Sequence, residues 1–312
     1  MVQTVAFENS PIERYRSKAD WDATAAELVG TMLDRWHLTA GAAYVGGEAA
    51  SVLQVTSADG VPAVLKVGFP HFEGVWEAVA LESWGSDLAP AVLRQDPWTW
   101  TLLLERLQPG LPLTKATISV DEALGVAAEL YRDFSSRPVP SGVATLPDVV
   151  GVYLANARAR LPGQAQELAR LDAAAILELG LAEVEALAAT DGASAFLHGD
   201  YNPGNVLSAE TSANERGWKV IDPKPMVGDR EFDVFPLIEQ LGSPFSAADP
   251  LELLERHLLE FTRIVGCDPA RTARWCFARH ALNLSWWLED GNHLAAERAV
   301  PELRMWKHLS GV

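Results

Sequence analysis

Apolar residues recur at helical spacing near the start of the chain. In DWDATAAELVGTMLDRWHL they fall three or four positions apart, which indicates an amphipathic helix with one buried face. The members of this face are Trp21, Ala25, Leu28, Met32, Leu33 and Trp36. The pattern therefore predicts a helix ahead of the first lobe.

Short β-rich runs follow this helix. They are YVGG, SVLQV, AVLKV and, further on, WTWTLLLERL. The turn ADGVP before AVLKV predicts a hairpin, and HFEGVWEAVALESWG predicts a helix ahead of the last strand. Strands followed by a helix and another strand predict a small α+β lobe.

The pattern becomes helical beyond residue 108. The candidate helices are DEALGVAAELYRDF, residues 147–160, GQAQELARLDAAAILELGLAEVEALAA, LELLERHLLEFTRIV and ARWCFARHALNLSWWLED. The stretch QPGLPL breaks the pattern between the strands and these helices. We therefore expect an N-terminal lobe over residues 1–107 and a larger, mainly α lobe over residues 108–312.

Composition narrows the class of protein. A chain of 312 residues with 48% hydrophobic content can bury a core large enough for two lobes. Its two cysteines, Cys267 and Cys276, lack clustered partners, so we expect reduced, buried thiols. The N-terminus lacks a signal-peptide pattern, and no run approaches the roughly 20 apolar residues of a membrane span. We expect a cytoplasmic protein without a membrane partner.

The formal net charge of −17 bears on partners. Nucleic-acid binding depends on lysines and arginines that displace counterions from phosphates, so this charge argues against it. A small cationic molecule is a better partner, although acidic composition also serves solubility alone. We expect a monomer or a dimer.

Residues that could take part in catalysis cluster in LHGDYNPGNVL. His198, Asp200 and Asn205 follow H-x-D-x-x-x-x-N, the spacing of kinase catalytic loops, in which the aspartate accepts the substrate hydroxyl proton and the asparagine holds a metal ion. Singly, each residue also fits a turn former or a core histidine. Asp222 ends the apolar run WKVID, and its pairing with the strand after Asn205 would bring hard oxygen ligands for Mg²⁺ together. The combination predicts phosphoryl transfer.

A kinase also needs a strand lysine that neutralises nucleotide phosphates and a helix carboxylate that positions it. Lys66 in AVLKV fits the lysine, although a lysine snorkelling from an edge strand is the alternative. Glu77 is the preferred carboxylate because it lies on a predicted helix next to an apolar face, and Glu73 is the runner-up.

Two further segments fit nucleotide contacts. Gly46 and Gly47 lie between strand-like runs and would let backbone amides approach phosphates, or would simply form a turn. In LLLERLQPG, the segment from Glu105 to Leu107 would connect the lobes, and its backbone could bond an adenine.

The combination of VLK, WEAVAL, LLLERL, HGDYNPGNVL, IDPKPMVGDREFD and ALNLSWWLEDG resembles the aminoglycoside phosphotransferase family. IDPK with GDREFD is most similar to its streptomycin 6-kinase and hydroxyurea kinase branch. The resemblance covers about residues 40–295. It implies a protein-kinase-like bilobal α+β fold, with a small mainly-β N-lobe carrying one or two helices and a larger mainly-α C-lobe.

The resemblance also implies roles for individual residues. Asp200 would be the base, Asn205 and Asp222 the Mg²⁺ ligands, and Lys66 the partner of Glu77. Asp233 would brace the catalytic loop, with His198 in support. The phosphate donor would be ATP, with GTP as the open alternative.

One departure from the family pattern falls in the catalytic loop. Members commonly read HGDLHPGN, whereas Tyr201 and Asn202 stand here in place of leucine and histidine. Asn202 would lie near the transferring phosphate, where its neutral amide would change how charge is stabilised.

The acceptor is the open question. A guanidinium-bearing acceptor such as streptomycin would suit the acidic pair Glu289 and Asp290, with Trp286 and Trp287 available for stacking, although such tryptophans are commonly core residues. The leading hypothesis is an aminoglycoside kinase acting on streptomycin. The alternatives are a kinase for hydroxyurea or for a small amino sugar or amino alcohol, and a nucleotide-binding pseudokinase without activity.

Overall fold

The computed structural model describes residues 18–44, 49–190, 192, 194–209 and 217–312. The chain divides into two compact units. The first comprises Met1–Pro112, Pro140–Gly142 and Asn205–Pro225, and the second comprises Leu113–Val139, Val143–Gly204 and Met226–Val312. This division differs from a single cut after residue 107, because two later segments of the chain belong to the first unit.

The first unit begins with helix α1, Lys18–Trp36, followed by an antiparallel five-stranded sheet of order β1-β2-β3-β5-β4. The bounds are β1 Thr39–Ala43, β2 Ala50–Thr56, β3 Pro62–Gly68, β4 Val92–Asp96 and β5 Thr101–Glu105. Helix α2, Glu77–Trp84, lies between β3 and β4 in the chain. The predicted hairpin is present, with β2 and β3 paired from Ala50↔Gly68 to Thr56↔Pro62.

The core of the first unit forms between α1 and the sheet. Trp21 and Met32 of α1 pack in one cluster with Leu65 and Val67 of β3. Because side chains alternate across a strand, Lys66 between these two residues points to the opposite face of the sheet.

A second, three-stranded sheet completes the first unit. Its order is β6-β8-β9, with β6 Pro109–Pro112, β8 Val206–Ala209 and β9 Trp218–Val220. Strands β8 and β9 are antiparallel and pair Val206 with Val220, which is the strand pair predicted around HGDYNPGN and WKVID.

The second unit is mainly helical. Its helices are α3 Val120–Ser135, α4 Leu146–Arg170, α5 Ala174–Ala188, α6 Phe235–Gln240, α7 Pro250–Val265, α8 Pro269–Glu289 and α9 His293–Ser310. Strands β7, Ser194–Leu197, and β10, Met226–Asp229, form a two-stranded antiparallel sheet. The helix α8 contributes the fully buried Trp275 and Phe277 to the core.

The prediction for residues 147–189 was wrong in its helix boundaries. Helix α4 continues through Pro162 to Arg170, and the break falls at residues 171–173, where Asp172 adopts a left-handed φ of 51°. The first helix was predicted to end at residue 160, but it ends beside the left-handed Asp172. Helix α9 was not predicted.

The fold class is α+β, with a mainly-β N-terminal region and a helical C-terminal region, as predicted. Cys267 and Cys276 are buried and form no disulfide, as expected. Across the described ranges, no helix combines the length and the apolar character that crossing a membrane requires.

Candidate functional site

Lys66 is the centre of an ionic cluster in the first unit. Its Nζ lies 2.5 Å from Glu77 Oε1 and 2.5 Å from Asp222 Oδ1. The Lys66 and Glu77 side chains are 13% and 12% exposed, whereas that of Asp222 is 51% exposed. The lysine therefore joins one buried carboxylate to one that faces solvent.

Charge and burial compete in this cluster. Burial by itself would lower the pKa of the Lys66 ammonium, but attraction to Glu77 and Asp222 outweighs it and holds that pKa above its usual value. Burial raises the pKa of the Glu77 carboxyl, and the nearby Lys66 opposes that shift only in part. Lys66 is thus firmly cationic at neutral pH.

Local structure explains why Glu77, and not Glu73, pairs with Lys66. It is the first residue of α2, whereas the runner-up Glu73 lies in the 3₁₀ turn Phe72–Gly74. Glu73 Oε2 lies 3.7 Å from His71 Nδ1. The structure brings Lys66 and Glu77 together and gives Glu73 another neighbour.

Asn205 and Asp222 lie at the same end of the β8–β9 pair. Asn205 precedes β8, its carbonyl accepts the Ile221 N–H over 2.9 Å, and Asp222 follows directly. Asp222 has a φ of 57°, a conformation that residues other than glycine seldom adopt and that concentrates at functional sites.

The donor set fits Mg²⁺. An amide oxygen and a half-exposed carboxylate are hard oxygen donors, and Mg²⁺ commonly takes one or two protein ligands and completes its shell with water or phosphate oxygens. Within the described part of the chain, no group of three or more His, Cys, Asp and Glu residues could hold a metal ion. The fit therefore rests on Asn205 and Asp222, with water or other oxygens to complete the shell.

In the second unit, Asp233 holds the backbone of the loop that carries Asp200. Its carboxylate accepts the His198 N–H over 2.5 Å and the Gly199 N–H over 2.9 Å. Burial raises the pKa of Asp233 to about 6, although Arg279 and these two N–H donors oppose the shift. The predicted brace position therefore makes direct contact with the loop.

His198 is buried inside this loop. Its Nδ1 accepts the Asp200 N–H over 3.3 Å, and its ring packs against Phe134 and Tyr201. The imidazole thus orients the backbone of Asp200 from within the core.

Arg279 of α8 is a supporting residue that the sequence analysis missed. Its guanidinium donates to the carbonyls of Phe232 and Gly199 over 3.0 and 3.3 Å and lies 4.1 Å from the Phe232 ring centroid. The signal that could have indicated it is a single arginine within the apolar stretch WCFARHAL.

Tyr201, one of the two departures from the family pattern, is a core residue. It is fully buried, its hydroxyl donates to the Ala127 carbonyl over 2.7 Å, and its ring contacts Tyr131 and Phe134. Tyr201 therefore anchors the loop to α3.

Asn202, the other departure, lies against Asp200. Its Nδ2 donates to Asp200 Oδ1 over 3.2 Å, and its Oδ1 accepts the Gly204 N–H over 2.9 Å. The expected position near a transferring phosphate stays a prediction, but contact with the Asp200 carboxylate is part of the structure.

The segment from Glu105 to Leu107 has structural contacts beyond those expected. Both Glu105 carboxylate oxygens accept from Lys219 Nζ, over 2.9 and 2.8 Å, and the Lys219 side chain is only 1% exposed. The Glu105 N–H already donates a hydrogen bond to the Ala91 carbonyl within the first unit. Leu107 is buried. Gly46 and Gly47 lie outside the described residues.

The candidate acceptor residues cluster at the C-terminal end of α8. Glu289 pairs with Arg160, Oε2 to Nη2 at 2.5 Å, and the Asp290 N–H donates to the Trp286 carbonyl. Trp286 packs edge-on against Tyr153, and Trp287 packs against His280. Neutralisation by Arg160 weakens Glu289 as a partner for a cation, whereas Asp290 is exposed.

Comparison with solved structures places the fold among those of small-molecule kinases. The GDP complex of wild-type aminoglycoside 2'-phosphotransferase-IIIa matches with a TM-score of 0.60 at 12% identity, over 92% of this chain and 98% of that chain. The fold is protein-kinase-like.

Sequence comparison then gives the family. Residues 35–291 match the model of the aminoglycoside/hydroxyurea antibiotic resistance kinases, and the chain belongs to this family. It is 34% identical to the streptomycin 6-kinase of Streptomyces glaucescens, over 90% of this chain and 88% of that protein. It is also 34% identical to the hydroxyurea phosphotransferase of Kitasatospora aureofaciens, over 87% of this chain and 76% of that protein. The protein is an enzyme, a kinase.

Proposed function

We propose that the protein transfers the γ-phosphate of ATP to a hydroxyl of an aminoglycoside, with streptomycin as the acceptor and its 6-hydroxyl as the site. The observation that carries the phosphotransfer chemistry is the contact of Lys66 with both Glu77 and Asp222. The similarity to the Streptomyces glaucescens enzyme supports streptomycin as the acceptor.

Asp200 is the base in this proposal. Its carboxylate accepts the proton of the acceptor hydroxyl while the hydroxyl oxygen bonds to the γ-phosphorus, and the bond from that phosphorus to the β–γ bridging oxygen breaks to release ADP. Asp233 accepts the N–H groups of His198 and Gly199, and His198 Nδ1 accepts that of Asp200. A fixed backbone keeps the base in reach of the hydroxyl, and such positioning accounts for much of the rate in phosphoryl transfer.

Lys66 supplies positive charge to the α- and β-phosphates, and Glu77 fixes its direction. Asn205 and Asp222 would hold Mg²⁺, which supplies charge neutralisation at the β- and γ-phosphates when bound. The Lys66 ammonium, held by the buried Glu77, would face the phosphate oxygens. GTP is the alternative donor.

A net charge of −17 favours a cationic acceptor such as streptomycin through long-range attraction. We place the acceptor's cationic groups near Asp290, with Trp286 and Trp287 beside it, in preference to the arginine-paired Glu289. Such steering weakens with salt, so kcat/KM for the acceptor falls as ionic strength rises.

Hydroxyurea is the second candidate acceptor. The similarity to the Kitasatospora aureofaciens phosphotransferase, equal in identity to the streptomycin kinase match, favours it. Hydroxyurea is uncharged and small, so its turnover should show little salt dependence.

The test is magnesium-dependent ADP release by the purified protein with ATP and, separately, streptomycin, a deoxystreptamine aminoglycoside, hydroxyurea and glucosamine. Asp200→Asn serves as the blank. Release that depends on streptomycin and disappears in the variant supports the proposal. Release only with hydroxyurea favours the second candidate. If none of the acceptors raises ADP release above the blank, both candidates are contradicted.

A further inference from the structure

The Asn202 side chain both donates and accepts hydrogen bonds in the loop after Asp200. Its Nδ2 donates to Asp200 Oδ1 over 3.2 Å and to the Asp200 carbonyl over 3.3 Å, and its Oδ1 accepts the Gly204 N–H over 2.9 Å. The Asn202 N–H also donates to the Asp200 carbonyl over 2.9 Å. The amide is therefore held between the Asp200 carboxylate and the backbone two residues further on.

The bond to Gly204 closes the turn by itself. A side-chain oxygen that accepts the N–H two residues on forms an Asx turn, and asparagine and aspartate both form it. The turn therefore requires only the oxygen of Asn202. The donation from Nδ2 to Asp200 is a separate feature that turn formation does not explain.

Residue chemistry sets which side chains can make both bonds. An amide offers an acceptor and two donors, whereas a carboxylate offers acceptors alone. Aspartate at this position would keep the turn but would lose the donor and bring a second negative charge beside Asp200. The small Gly204 also matters, because an added Cβ there would lie 3.0 Å from Asn202 Oδ1.

We propose that Asn202 is a positioning residue for the base: its amide fixes the rotation of the Asp200 carboxylate toward the acceptor hydroxyl, while its oxygen closes the turn. This role rests on the proposed function, because the direction of the carboxylate matters to the rate only if Asp200 takes the proton. The neutral amide orients the base without adding charge to it.

The matched pair Asn202→Asp and Asn202→Ala separates positioning from turn closure. Asn202→Asp keeps the acceptor for Gly204 and loses the donor, and Asn202→Ala loses both. We expect Asn202→Asp to lower kcat for the acceptor by about 10- to 100-fold with little change in KM for ATP. The acidic limb of its pH–rate profile should move up by about one pH unit, because a like charge disfavours ionisation of the base.

The experiment measures magnesium-dependent ADP release with streptomycin and with hydroxyurea for the wild type, both Asn202 variants and Asp200→Asn. An Asn202→Asp variant with wild-type kcat and pH profile, alongside an inactive Asp200→Asn, overturns the positioning role and leaves the proposed function intact. An Asp200→Asn variant with the wild-type rate, or a wild type that releases no ADP with either acceptor, overturns the proposed function and this role with it.

Discussion

The ammonium of Lys66 lies 2.5 Å from Oδ1 of Asp222, although 156 residues separate the two in the chain. The contact joins strand β3 to the residue that follows the β8–β9 pair, within one compact unit. Asp222 is half exposed and has a left-handed backbone, so its carboxylate pairs with the buried ammonium while it also faces solvent.

Glu77→Gln should lower kcat/KM for ATP by about 10- to 100-fold, because Lys66 loses its buried anchor and its direction toward the phosphates becomes less defined. Steady-state kinetics with varied ATP measure this effect. Glu73→Gln is the matched control, since Glu73 lies near His71, and it should stay within about twofold of wild type. Equal losses in both variants would contradict the assignment of Glu77.

Lys219→Met should destabilise the protein by about 1–3 kcal/mol, because the Glu105 carboxylate loses the buried ammonium that binds both of its oxygens but keeps the Ala91 N–H and some solvent contact. Urea unfolding followed by fluorescence measures the loss. Lys115→Met, at an exposed position, should change stability by less than about 0.5 kcal/mol. A Lys219→Met variant as stable as wild type would show that the pair contributes nothing.

Tyr201→Phe should cost about 1–3 kcal/mol of stability, because the ring still fills its site while the Ala127 carbonyl loses its buried donor. Thermal and urea unfolding measure this cost. Tyr44→Phe, at a residue that is 46% exposed, is the control and should be neutral. Equal stability of the two variants would contradict the anchoring role of Tyr201.

The raised pKa of Asp233, about 6, predicts a pH dependence of stability. Between about pH 4 and pH 6 the folded protein holds a proton that the unfolded chain has released. The free energy of unfolding should therefore fall by up to about 3 kcal/mol as pH rises through this window. This contribution is fully present at lower pH and lost above pH 6.

The difference between wild type and Asp233→Asn isolates this effect, because other carboxyls titrate in both proteins. Unfolding measured at pH 4.5 and at pH 7 should show that the wild type loses more stability than the variant between these two pH values. Parallel pH profiles for the two proteins would show that the pKa of Asp233 is not raised in the folded state.

Local patterns were enough to predict the elements around the site. The β-rich run AVLKV predicted β3, and the hairpin and the strand pair around HGDYNPGN were predicted from turn residues. The preference for Glu77 over Glu73 came from its place on a helix, and the structure places Glu77 against Lys66. These features depend on neighbouring residues and therefore appear in the sequence.

Contacts between distant segments could not be predicted in the same way. The Lys219–Glu105 pair joins residues 114 positions apart, and Arg279 reaches a carbonyl 80 positions away. Neither contact follows a helix or strand period, because each depends on how distant elements pack together. The break at Asp172 was missed since a left-handed aspartate leaves a weaker sequence signal than proline.

The central claim is that the protein transfers a phosphate to an acceptor hydroxyl with Asp200 as the base. The most direct measurement is mass spectrometry and ³¹P NMR of streptomycin after incubation with the protein, ATP and Mg²⁺, with Asp200→Asn in parallel. The account predicts streptomycin carrying one added phosphate ester at its 6-hydroxyl with the wild type, and none with the variant while it still binds ATP. Unmodified streptomycin with the wild type, or equal product with Asp200→Asn, would contradict it.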